Sequence, residues 1–128
     1  AYYFGDPGLG LCKHRFDVLY DMSNDLNTSG YEDIAIMGLN SIAESDVPIN
    51  QMVKGNTLPW GSDNDQYQIW KKWKITLRDL YVFKPNGEFY AWMNLTDYNP
   101  EPTITDSTNY KALRQLLIDA LTAEPIRQ

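Results

Sequence analysis

The chain carries one thiol and one imidazole, Cys12 and His14. A lone cysteine forms no intrachain disulfide and no C-x-x-C redox pair. With one histidine beside it, a Cys/His zinc cage lacks ligands. A Ser-His-Asp triad would have to use His14. The chemistry left to Cys12 is that of a single thiolate. A helix N-terminus would stabilise it, and Lys13, His14 and Arg15 add positive charge nearby. Such a thiolate forms mixed disulfides with glutathione or a partner protein. The opposing reading packs Cys12 inside the first helical turn, against Phe16 and a sheet, where burial makes it inert. A Cys12–His14 dyad is disfavoured, because helical residues i and i+2 point roughly 200° apart. His14 reads instead as a solvent-facing residue on a basic first turn.

Other constellations are weaker. Asp63-Asn64-Asp65 resembles the start of a calcium loop, but Gln68 and Lys74 stand where such a loop needs its Gly and its bidentate Glu. Helix capping is the better reading of these residues. Glu44 with Asp46, and Glu101 with Asp106, have the residue types of hydrolytic carboxylate pairs, but nothing in the spacing sets either pair across a cleft. No metal site and no cofactor are expected.

The elements that must position these groups follow from periodicity. Ala1 to Phe4 is a β-prone run, closed by Gly5-Asp6-Pro7-Gly8. Phe16, Leu19, Met22 and Leu26 give one face of a helix over about Cys12 to Leu26. The apolar run within Asp33 to Asn40 suits a strand buried on both faces. Residues 41–56 read as irregular but packed around Pro48, and Leu58-Pro59-Trp60 as a short extended piece. Asp63 starts a helix that carries Ile69, Trp70 and Trp73. Lys84-Pro85-Asn86-Gly87 joins Leu80–Phe83 to Phe89–Met93 in a hairpin. Ser107 or Thr108 caps a last helix to about Leu121, with Tyr110, Leu113, Leu117 and Leu121 facing the core. The order β-α-β, short α, β-β-α predicts one α/β domain over residues 1–128, with about 122–128 a loose tail.

The 128 residues sum to a net charge of −6. That argues against nucleic acid and against anionic membrane surfaces, and no apolar run is long enough to span a bilayer. Seventeen aromatic residues (nine Tyr, four Trp, four Phe) are the compositional excess. Strict alternation along Phe89 to Met93 would put Tyr90 and Trp92 on one face, and Phe89, Ala91 and Met93 on the other. Trp60, Trp70 and Trp73, on a short charged segment, are the aromatic candidates for an interface. Two N-x-[ST] sequons, at Asn27 and Asn94, and a start at Ala1 with no signal peptide suggest a secreted, processed glycoprotein.

Three segments resemble the thioredoxin superfamily, and within it the N-terminal domains of selenoprotein P and its bacterial relatives. They are Gly10-Leu11-Cys12-Lys13 with its helix, the strand Gly30-Tyr31 to Asn40, and the series Leu58-Pro59-Trp60, Ile69-Trp70, Arg78 to Phe83 with Asn86-Gly87 and Phe89-Tyr90. The resemblance implies a thioredoxin-like fold with a central mixed sheet flanked by helices. It aligns Leu9-Gly10-Leu11-Cys12 with the family's redox motif. Cys12 then takes the resolving position, and Leu9 replaces the attacking Cys or selenocysteine. Leu77-Arg78-Asp79 aligns with the superfamily's cis-proline stretch, and selenoprotein P-type domains lack that proline too.

These readings favour a non-catalytic binding or structural module, contacting a protein partner or a second copy through the middle-segment tryptophans and the surface around Leu9, Leu11 and Arg15. One alternative is a monothiol oxidoreductase using Cys12, with Arg15 supporting the thiolate. Another is a carrier of an apolar small molecule or pigment on an aromatic-rich surface.

Overall fold

Alternation at the start of the chain sets up two unlike faces. The computed structural model describes residues 1–123 and begins with strand β1, Tyr2–Phe4. Tyr3 turns to one face, Tyr2 and Phe4 to the other. Helix α1, Gly10–Thr28, buries Phe16, Leu19, Met22 and Leu26 completely, as their spacing predicts, together with Cys12. Truncating any of the four to Ala would cost about 2–5 kcal/mol.

Strand β2, Met37–Asn40, runs parallel to β1 and sets Gly38 opposite Tyr3. It is shorter than the apolar run suggested, because Asp33 and Ala35 are exposed and lie outside the ladder. Residues 41–56 hold a 3-10 turn at Ile42–Glu44 and a single helical turn α2, Asn50–Val53, whose Met52 is buried. Strand β3, Trp60–Ser62, pairs parallel to β2. Helix α3 is one turn, Ile69–Lys72, so Trp73 falls just beyond it. Strand β4, Asp79–Phe83, pairs antiparallel with β1, and β5, Phe89–Asn94, antiparallel with β4. The hairpin turns where expected. Gly87 N–H donates to Lys84 O at 2.9 Å, and Gly87 takes φ +90°, a conformation that only glycine adopts without strain.

Helix α4, Thr108–Thr122, buries Leu113, Leu117 and Ala120, with Tyr110 and Leu121 half-buried. Ser107 sits in left-handed backbone and makes no capping bond. Its hydroxyl donates to Pro102 O instead. Thr122 is still helical, and the rest of the expected tail, 124–128, lies outside the described residues.

The sheet order is β3-β2-β1-β4-β5, a five-stranded mixed sheet flanked by helices. Helices α1 and α4 cover the same face. Tyr110 Oη and Arg114 Nε both reach Asp25 of α1, at 3.1 and 2.8 Å. The core between them and the sheet includes Tyr3, Leu80 and Val82. On the opposite face Phe4 is enclosed by the rings of Trp70, Trp73 and Tyr81, at 5.6–6.0 Å.

Strand β5 departs from strict alternation. Val82 pairs with Ala91 but Phe83 pairs with Phe89, so Tyr90 is an extra residue in a β-bulge. Tyr90 and Met93 pack against the core, while Phe89 joins Tyr81 and Phe83 on the opposite face. The expected grouping of Tyr90 with Trp92 is therefore corrected. Trp92, opposite Tyr81, shares its face with Phe89.

Candidate functional site

The first turn of α1 stands at the C-terminal end of β1, a place where strand ends and helix N–H groups converge. Cys12 is there and is fully buried. Tyr3 Oη donates to Cys12 O at 3.1 Å. Burial, and next the neighbouring Cys12, push the Tyr3 phenol far above its ordinary range.

The cation at the sulfur is Arg78, whose Nη1 lies 3.4 Å from Cys12 Sγ. Its Nε donates to Thr96 Oγ1 at 2.6 Å. The Arg78 backbone is left-handed at φ +71°, a strain of about 1–2 kcal/mol for a non-glycine residue. Hydrogen bonds on both sides hold it: Arg78 N–H to Phe4 O at 2.7 Å, and Leu95 N–H to Arg78 O at 2.9 Å. Periodicity and motif spacing do not point to Arg78. The one signal was its place in the stretch aligned with the superfamily's cis-proline.

Arg15 is not at the surface, as a contact residue would be, but Cys12 is among the groups whose charge acts on it. It is buried, with Nε donating to Leu95 O at 2.8 Å, and desolvation lowers its pKa. It ties α1 to the end of β5 and offers no charge to the surface. His14 is exposed and pairs with Glu101 at 2.5 Å. Leu9 and Leu11 flank the cysteine as exposed aliphatic side chains, and Leu9 provides no side-chain cap.

The three candidate tryptophans do not form one surface. Trp60 lies over Gly38 on the α1 face, its ring 5.0 Å from Phe16, with Nε1 donating to Asn40 Oδ1 at 2.9 Å. A Cβ at residue 38 would sit 2.1 Å from Trp60 Cε3, so glycine is required for this packing. Trp70 and Trp73 lie on the opposite face. Trp70 Nε1 is buried without a hydrogen-bond partner, and Trp73 stacks on Tyr81 with 5.6 Å between centroids.

Asp63 is a buried cap. Its carboxylate accepts from the N–H groups of Asn64, Ile69 and Trp70, two of which open α3. Among the described residues no cluster of three or more His, Cys, Asp or Glu could hold a metal ion, and no helix is long and apolar enough to cross a membrane. Asn27 is exposed at the end of α1. Asn94, by contrast, is an interior residue. Its Nδ2, the attachment atom, is buried and donates to Leu77 O and Asp79 Oδ1. A cleft of about 940 Å³ opens at the other end of the sheet from Cys12, between Tyr2, Ile34, Met37, Phe83 and Leu117.

No family model matches this chain, and neither a curated protein nor a solved structure matches it.

Proposed function

We propose that this chain is a thioredoxin-like domain of the selenoprotein P-like kind, with a degenerate redox motif, acting outside the cell as a non-catalytic binding module. The observation that carries the reading is the complete burial of Cys12. The sulfur has no exposed face, and the resemblance would set Leu9, which has no nucleophilic atom, where the attacking group stands. The topology supports the fold assignment. A parallel β1-α1-β2 unit meets an antiparallel β4-β5 hairpin followed by α4, and both helices lie on one face of the sheet.

Thiol kinetics test this. Cys12 of the folded protein should react with an aromatic disulfide at least about a hundredfold more slowly than in denaturant, because reaction waits for local opening. Native reactivity equal to that of the denatured thiol would overturn the reading.

The second reading is a monothiol oxidoreductase, favoured by the Arg78 guanidinium at 3.4 Å from Cys12 Sγ. The thiolate would attack a disulfide sulfur, form a mixed disulfide and release the other half as thiolate. Fast native reaction that slows in Arg78→Gln would support it.

A further inference from the structure

The sheet face opposite α1 and α4 carries a continuous aromatic surface. Trp73 stacks on Tyr81, Tyr81 meets Phe89 at 5.8 Å, and Trp92 stands opposite Tyr81 in the ladder. Its outer members are open: Phe89 is 49% exposed and Trp92 58%. Exposed aromatic rings grouped in this way are a feature of contact surfaces more than of ordinary solvated surface.

The charge at the Trp73 end of this surface runs against that of the chain as a whole, while Glu88 adjoins Phe89 at the other end. Lys71, Lys72 and Lys74 are exposed and bracket Trp73, in a protein whose net charge is −6. Because Trp70 and Trp73 turn inward onto Phe4, α3 lies on this same face. Aromatic rings edged by lysine fit an occupant that brings apolar or aromatic side chains and carboxylates together.

We propose that this face docks an acidic, aromatic-bearing segment of a partner protein, with Trp73, Phe89 and Trp92 as anchors and Lys71, Lys72 and Lys74 meeting its carboxylates. The proposal rests on the binding-module reading and names the partner's chemistry. The lysines steer and orient the partner, and the rings supply most of the affinity.

The test uses a synthetic peptide of alternating Glu and Phe, titrated against the intact protein by tryptophan fluorescence and calorimetry. Binding should weaken about tenfold in the triple variant Lys71→Gln/Lys72→Gln/Lys74→Gln and in Trp92→Ser, and should fall with added salt. Lys111→Gln, on α4, should leave it unchanged. These side chains are exposed, and circular dichroism of each variant checks the fold.

Absence of peptide binding, or binding indifferent to the triple variant, overturns the proposal. So does tighter binding of a heparin fragment or a poly-dT strand of equal charge, which would make the face a polyanion site. Sedimentation showing self-association lost in the triple variant would assign the face to a second copy instead, and would also overturn it. Thiol kinetics report separately. A slow thiol with no peptide binding removes the docking proposal alone, and a fast thiol removes the binding-module reading.

Discussion

Tyr110 shows how one side chain ties stability to pH. Its hydroxyl donates to Asp25, and burial, followed by that hydrogen bond, pushes its pKa up to about 12. The ordinary tyrosine value is about 10, so the folded chain favours the protonated phenol. The resulting stability is fully present below pH of about 10 and is lost as pH climbs through about 12. Tyr3 shifts in the same direction. Urea unfolding at stepped alkaline pH should show stability falling across this window. In Tyr110→Phe the protein should be about 1 kcal/mol weaker at neutral pH, with a shallower alkaline fall. An unchanged slope would remove Tyr110 from the account. At this scale the sequence was half legible. Cys12 stands out by count, and the packing of Phe16 by spacing. Arg78 does not, because its contact with Cys12 joins residues 66 positions apart and depends on a backbone turned left-handed.

At the scale of elements, α3 depends on one carboxylate. A single helical turn is too short to hold itself in water, and Asp63 satisfies the N–H groups of both Ile69 and Trp70 from outside the helix. Asp63→Ala leaves them unpaired beside a buried gap and should cost about 2–3 kcal/mol. The loss should be local. Trp73 would leave Tyr81, so its fluorescence should change at denaturant concentrations below the main transition. One coincident transition would show α3 to be no more separable than α1. The capping role was legible in Asp63-Asn64-Asp65, and the hairpin in Asn86-Gly87. The length of the helix was not, because Gln68 at φ +46° delays its start. Nor was the bulge at Tyr90, since period-two patterning has no sign for an inserted residue.

At the scale of the molecule, the sheet separates two chemistries. One face is closed by α1 and α4 over an aliphatic and aromatic core, and the other is only partly covered by α3. The long elements and their order could be read from periodicity, because each carries its own pattern. The edge strand β3 and the single turn α2 could not, because three or four residues are too short to show a period. The division of tryptophans between faces could not, because it follows from the register of Tyr3, Gly38 and Trp60. The same view sets the two sequons apart by exposure. Produced through a secretory pathway, the protein should gain the mass of one glycan, lost in Asn27→Gln and kept in Thr96→Ala. A second glycan on folded protein would contradict the interior placement of Asn94. The solitary sulfur has a practical consequence. With no second thiol to confuse the signal, each alkylation event marks one moment at which the first turn of α1 has lifted from Gly5 and Arg78. Cys12 is thus a built-in reporter for breathing of the native state: by mass alone, dilute reagent reads the opening equilibrium, and reagent concentrated enough to trap every opening reads the opening rate.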